Sequence, residues 1–150
     1  MPVRPATARD LDALVSLFGA YLQFYQVPRA PAEVRSFLAA RLAQGDAVLL
    51  LAEDEQGQAQ GFVQLYPYFA SLALQPAWLL SDLYVYPEQR RLGLGSALMN
   101  AARAHAERSG ACGLQLETAR DNLIGQALYE RLGYVREQQF YTYWLGLPEH

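Results

Sequence analysis

Two glycines one residue apart, Gly93 and Gly95, stand between an apolar run and a helix-patterned segment. They constrain the chain more than any other feature. The run Ser81-Asp82-Leu83-Tyr84-Val85-Tyr86 reads as a strand that Pro87 ends. After the glycines, Leu98, Met99, Ala102, His105 and Ala106 recur at helical spacing. Glycine has no Cβ, so backbone N–H groups in such a turn can come close to a ligand. The helix that begins there adds unsatisfied N–H groups and the positive end of its dipole. Arg90 and Arg91 supply formal positive charge. Strand, basic turn, glycines and helix together make a candidate anion site, best suited to phosphates.

Three phosphate sites share this outline. A nucleoside-triphosphate loop needs a glycine, four residues, then Gly-Lys-Ser/Thr. No lysine follows Gly95, so neither the phosphate-clamping cation nor the Mg²⁺ hydroxyl ligand is placed. A dinucleotide fold needs Gly-x-Gly-x-x-Gly/Ala. Here Leu98 occupies the third position, where a small residue permits close helix–strand packing. Glu117 does end the next strand, about where a ribose-binding acid would stand, but too few residues follow for a doubly wound sheet. The third reading is a pyrophosphate site with an arginine lead-in, Arg90-x-x-Gly93-x-Gly95.

The rest of the chain predicts a mixed fold. A short strand at 3–6 passes through Thr7, with Asp10 three residues on as an approximate capping box, into an amphipathic helix. Its last turn carries Tyr21, Phe24 and Tyr25, and Pro28 ends it. Pro31 opens a second helix over 31–43, which Gly45-Asp46 stops. Strands are expected at 47–52, 61–68 and 77–86, with a turn at Asp54 to Gly57 and a loop at 69–76. A helix over 95–108, a strand at 113–118, a helix over 126–132 and two strands at 134–139 and 140–147 complete the order. Strand, helix and strand from Tyr84 to Leu116 imply one parallel pair with a right-handed crossover. The hairpins imply antiparallel pairs elsewhere.

This order, together with Arg90, Gly93, Gly95, Asn122, Tyr129, Gly133 and Tyr134, resembles the GNAT-superfamily N-acetyltransferases. The resemblance covers nearly the whole chain and is strongest over 62–135. It implies an α/β (α+β) fold, a mixed and mostly antiparallel sheet of about seven strands flanked by about four helices. Residues 1–150 would form a single N-acetyltransferase domain. Within the family, Gly61-Phe62-Val63 and Trp78-Leu79-Leu80-Ser81-Asp82-Leu83-Tyr84-Val85 look most like the spermidine/spermine and diamine acetyltransferase branch. That branch commonly carries Glu where this chain has Ser81.

The resemblance implies acetyl-coenzyme A as donor and a primary amine of a small molecule as acceptor: a polyamine, a diamine or a lysine-like amino acid. It also implies a homodimer, with the terminal strands as candidate contacts. Backbone N–H groups of Arg91, Leu92, Gly93, Leu94, Gly95 and Ser96, led in by Arg90, would hold the pyrophosphate. Leu83, Tyr84 and Val85 would pair with the pantetheine arm as with an added strand. An N–H near Leu83 would polarise the thioester carbonyl. Tyr129 matches the family's general acid for the leaving thiolate; without the motif it reads as a core tyrosine. Asn122 either bonds the pantetheine or caps the following helix.

Amine attack needs a group or water chain to take a proton. Asp82 either binds the ammonium and relays that proton or holds a loop backbone. Glu117 is the second candidate, against a solvated strand end. Tyr25 and Tyr66, with Tyr21, Phe24 and Tyr68, are either an aromatic lining suited to a cation or ordinary core. His105 is expected to be a surface or satisfied helix residue and Cys112 a small buried apolar group. No His/Cys/Asp cluster has metal spacing. The rival functions are a protein or peptide acetyltransferase and a non-catalytic coenzyme A-binding module.

Composition narrows the setting. A formal charge of −3 over 150 residues argues against a nucleic-acid partner. No run approaches the ~18 apolar residues that span a bilayer. Met1-Pro2-Val3-Arg4-Pro5 has no apolar core of a secretory signal. Cys112 is the single cysteine, which suits a reducing compartment. The expected location is the cytoplasm.

Overall fold

The computed structural model describes residues 2–149, apart from the Arg91 side chain. The chain divides into two units, residues 1–117 and 118–150.

The first unit is built on one five-stranded sheet in the order β1 (Val3–Pro5), β2 (Val48–Glu53), β3 (Ala59–Ala70), β4 (Gln75–Val85), β5 (Leu114–Leu116). Neighbours are antiparallel from β1 to β4, and β4 pairs with β5 in parallel, as the strand–helix–strand order predicted. Helices α1 (Leu11–Phe24) and α2 (Pro31–Gln44) cover one face. Their Leu14, Leu17, Phe18, Val34 and Leu38 close over Leu49, Leu51, Phe62 and Tyr84 of the strands. Helix α3 (Leu94–Arg108) covers the other face with Leu98, Met99, Ala102 and Ala106, all buried. Burying each large aliphatic side chain of this kind contributes about 1.5–3 kcal/mol.

Local chemistry fixes the ends of these elements. Thr7 and Asp10 form the expected capping box, and α1 follows one 3₁₀ turn later. The Arg4 guanidinium donates to both Asp10 oxygens, at 2.9 and 2.7 Å, and also to Glu53. It thereby ties β1 to the start of α1 and holds the Asp10 carboxyl well below the ordinary carboxylate range. Pro31 sits at the first turn of α2, and Gly45 closes that helix in the left-handed region at φ +63°.

Three expectations for this unit need correction. Residues 69–76 are a tight hairpin turn: β3 runs to Ala70, a 3₁₀ turn spans 71–73, and β4 starts at Gln75. Ladder pairing continues to Ala70↔Gln75, so the strands are longer than their apolar pattern suggested. Cys112 is exposed rather than buried. His105 is neither a surface nor a satisfied residue. Its ring packs against Trp78 at 4.9 Å, and its buried Nε2 has no hydrogen-bond partner. Burial holds its pKa below the ordinary imidazole value, with a smaller contribution from Arg108.

The second unit holds α4 (Leu123–Arg131), which begins three residues earlier than its periodicity suggested. Asn122 caps it: Oδ1 accepts from the Gly125 N–H at 3.1 Å, and Nδ2 donates to Thr118 Oγ1 at 2.9 Å. Gly133 follows at φ +99°, and the Tyr134 N–H returns to the Tyr129 carbonyl at 3.0 Å. The two strands expected at 134–139 and 140–147 carry no regular secondary structure. The described sheet therefore has five strands rather than seven. Alternating apolar residues favour extended backbone, but a strand also needs a neighbour to bond.

Candidate active site

Strand β4 is paired differently along its length. From Gln75 to Leu80 it bonds β3 on one side, and its Trp78–Leu80 segment bonds β5 on the other. The register then shifts. Gln64 faces Asp82 but the next residue, Leu65, faces Leu80, so Ser81 is an extra residue bulged out of the ladder. A one-residue insertion swaps which side chains meet which face. Before the bulge, Trp78 points to α3, where its Nε1 donates to Ser109 Oγ at 2.9 Å. After it, Asp82 and Tyr84 meet Tyr21 of α1.

The bulge also redirects backbone polarity. The Trp78 N–H donates to Gly113 beside β5, while the Tyr86 N–H donates to Gln60 beside β3. By alternation, the N–H groups of Leu83 and Val85 point away from β3. Pairing to β5 has ended by then, at Leu80↔Leu116. Residues 83–85 thus present a strand edge with no strand partner among the described residues. A ligand arm with amide groups can pair with such an edge as an added strand does.

The basic turn lies just beyond this edge. Residues Pro87–Leu92 form a 3₁₀ helix, Gly93 turns at φ +78°, and α3 starts at Leu94. The first α3 bond to that cap runs from the Ala97 N–H to the Gly93 carbonyl. The N–H groups of Leu94, Gly95 and Ser96 therefore lie in the first turn, where a helix lacks internal acceptors. Only Gly93 readily takes its positive φ, which supplies the physical reason for a glycine there. The Leu94 side chain is buried, so that residue could offer a ligand only backbone.

Arg90 is more constrained than its sequence pattern suggested. Its guanidinium lies 5.3 Å from the centres of both the Phe24 and Tyr84 rings, and Nε donates to the Val85 carbonyl at 3.0 Å. It fastens the turn to the end of β4 and to α1. The Arg91 side chain lies outside the described residues.

Asp82 sits on the α1 face beside the open edge. Tyr21 Oη donates to its Oδ1 at 2.8 Å and Gln64 Nε2 donates to its Oδ2 at 2.9 Å. Tyr66, half-buried nearby, is pushed up to about 12 by burial and by the Asp82 charge, so its hydroxyl keeps its proton at neutral pH. Tyr25 is largely exposed but packs edge-on to Tyr21 and Phe24 at 5.1 and 5.3 Å. Glu117 is exposed at the end of the first unit. Tyr68 lies further along β3 and donates to Gln115 Oε1 at 3.2 Å.

Sequence reasoning overlooked Gln64. It is fully buried, and its amide is one of the two donors to Asp82. A glutamine inside an apolar strand run, Phe62-Val63-Gln64-Leu65, was the available signal, because a buried amide needs partners. Tyr129 and Asn122 belong to the second unit, where Tyr129 packs against the Tyr134 ring at 6.3 Å and Asn122 caps α4.

The described geometry is thus a glycine turn at a helix start beside an open strand edge, with a held carboxylate alongside. Residues 14–134 match the model of the acetyltransferase (GNAT) family. The chain belongs to that family. It is accordingly an acyltransferase of the N-acetyltransferase type, in a family that takes its acetyl group from acetyl-coenzyme A.

The acetyltransferase is 38% identical over 148 residues to the uncharacterized N-acetyltransferase YhfO of Bacillus subtilis, covering 99% of both chains. It is 29% identical to an aminoglycoside N(6')-acetyltransferase type 1 of Klebsiella aerogenes, covering 91% of each. The crystal structure of a probable acetyltransferase, 36% identical, superposes with a TM-score of 0.93 over 100% of both chains.

Proposed function

We propose that this acetyltransferase moves an acetyl group from acetyl-coenzyme A to a primary amine of a small molecule, by direct attack and within one domain of residues 1–150. The observation that carries this reading is the bulge at Ser81, which leaves the Leu83–Val85 edge unpaired and sets Asp82 beside it. The pantetheine arm pairs with that edge, and the N–H groups of residues 91–96 receive the pyrophosphate.

The Leu83 N–H polarises the thioester carbonyl. The neutral amine attacks the carbonyl carbon and loses a proton toward Asp82, directly or through water. The C–S bond breaks, and the thiolate takes a proton from Tyr129, whose role rests on its spacing to Asn122 and Gly133. Glu117, exposed at a strand end, is the weaker candidate base. Tyr25 and Tyr66, with Tyr21, suit a cationic acceptor. Polyamines, diamines and lysine-like amino acids are the first acceptors to try. Relatives named aminoglycoside N(6')-acetyltransferase and mycothiol acetyltransferase add amino sugars to that set. The fold of AAC(6')-Iy, described in complex with the bisubstrate analogue CoA-S-monomethyl-acetylneamine, is shared at a TM-score of 0.81. We place the protein in the cytoplasm.

The test is thiol release from acetyl-coenzyme A with panels of these amines and of peptides. All twelve basic side chains are arginines, so self-acetylation of lysine cannot contribute background. Release with small amines supports the reading; release with peptides alone favours a protein acetyltransferase. Tight coenzyme A binding with no transfer would leave a regulatory binding module. Tyr129→Phe should lower kcat about 100-fold with little change in coenzyme A affinity, the scale expected of a lost general acid.

A homodimer is the second part of this proposal. Phe140, Tyr141, Tyr143, Trp144, Leu145 and Leu147 are each at least 69% exposed, an apolar burden that a partner chain would cover. Sedimentation of the full chain, and of a chain ending at Gln139, would separate a dimer held by this segment from a monomer.

A further inference from the structure

Asp82 is a half-buried carboxylate with two neutral donors and, among the described residues, no cationic partner. Gln64 gives it the Nε2 end of its amide, which fixes the amide orientation, since the Oε1 end would meet a carboxylate with repulsion. Gln64 Oε1 is then left buried without a hydrogen-bond partner, on a side chain that is 0% exposed. An unmet buried acceptor costs about 1–3 kcal/mol and calls for a donor that arrives from outside. The surrounding groups limit what that donor can be. Tyr21 already gives its hydroxyl proton to Asp82, and the neutral Tyr66 phenol lies against the Gln64 side chain but leaves Oε1 without a partner. The site thus holds one half-buried negative charge and, behind it, one fully buried neutral acceptor, with Tyr21, Tyr66 and Tyr84 nearby.

We propose that Asp82 and Gln64 Oε1 together receive the ammonium form of the acceptor, and that Gln64 makes the enzyme selective for primary ammonium. A primary ammonium carries three N–H donors, enough for the carboxylate, the amide oxygen and one further contact. A quaternary ammonium can be held by the charge and the rings but has nothing to give Oε1. This inference deepens the proposed function and rests on it. It concerns recognition of the amine rather than the chemical step, and it assigns a task to a residue outside the coenzyme A motif.

The experiment uses Gln64→Met, which keeps the length and volume of the side chain and removes both polar ends. The probes are an amine that the wild-type enzyme acetylates and the N,N,N-trimethyl derivative of the same amine as a competitive inhibitor. The variant should raise KM for the amine roughly 10–100-fold, the scale of a hydrogen bond to a charged group, while KM for acetyl-coenzyme A stays within about two-fold. The inhibition constant of the trimethyl derivative should change far less than KM for the amine. Gln64→Asn, which retracts the amide by one methylene, gives the same readings should the Met variant not fold. An unchanged amine KM in a folded variant overturns the inference, and so does an equal weakening of amine and trimethyl derivative, which would make Gln64 a prop for Asp82 only. A wild-type enzyme that acetylates no amine overturns the proposed function itself, an outcome distinct from either.

Discussion

The two halves of β4 share one strand and one partner, β3, yet they do different things. Gln75–Leu80 is a structural strand, bonded to β5 along Trp78–Leu80, with Ala77 and Leu80 buried and Trp78 seated on α3. The half after Ser81 keeps β3 but has an open second edge, and there the polar groups gather: Asp82, the Arg90 bond to the Val85 carbonyl, and the start of the basic turn. One bulged residue separates them. Pairing on both sides spends every backbone group on the fold, whereas pairing on one side leaves donors and acceptors to meet a ligand. In this molecule the candidate site is the place where the sheet stops closing.

Deleting Ser81 would break this contrast most severely. Removing the bulged residue closes the ladder into a single register with Asp82 still opposite Gln64, and it takes away the local bend that parts β4 from β5 ahead of the Leu83–Val85 edge. Acetyl transfer should vanish, and circular dichroism with thermal melting will show whether any folded protein remains. Full activity in the deletion would mean that the bulge does not define the site. Next in size is Leu80→Ala in the closed half, which should cost about 2–5 kcal/mol of stability by cavity formation. At temperatures where the variant is folded, KM for acetyl-coenzyme A should be unchanged; a marked rise would show that the halves are coupled.

Gly61→Ala probes the open half from behind. A Cβ there would stand 2.9 Å from the Tyr84 carbonyl oxygen and 3.1 Å from Leu98 Cδ1, so β4 must shift against α3. Denaturant melts should show a loss of about 1–3 kcal/mol, and here KM for acetyl-coenzyme A should rise as well. The smallest effect is a pH dependence confined to the closed half. Burial lowers the His105 pKa in the folded state, so the unfolded chain binds more protons as pH falls from 7 through the ordinary imidazole value. Stability should therefore decline on acidification below about pH 6.5. His105→Gln should flatten that decline without altering KM for the amine, as thermal melts between pH 5 and 8 would show.

Much of the fold was legible because its signals are local. Thr7 and Asp10, Pro31, Gly45 and the paired glycines each announce an element boundary through backbone chemistry that needs no distant partner. The glycine turn, together with Asn122, Tyr129 and Gly133, also pointed to the acetyltransferase family, since a glycine turn and a helix cap are written in contiguous residues. Less legible were features that depend on pairing. Residues 134–147 alternate like strands, yet alternation cannot supply the neighbouring edge. Cys112 and His105 were misjudged because burial is a property of packed neighbours rather than of residue type.

The amino-acid sequence by itself determined the glycine turn, the order of the elements and the family, all set by short-range backbone preferences and fixed spacing. Only the tertiary structure decided that Ser81 would bulge and that the β5 ladder would end at Leu80. It likewise placed Tyr21 of α1 and Gln64 of β3 on the same carboxylate. Those contacts join residues 18 and 61 positions apart in the chain, and such closeness comes from sheet register and helix packing that no local pattern encodes.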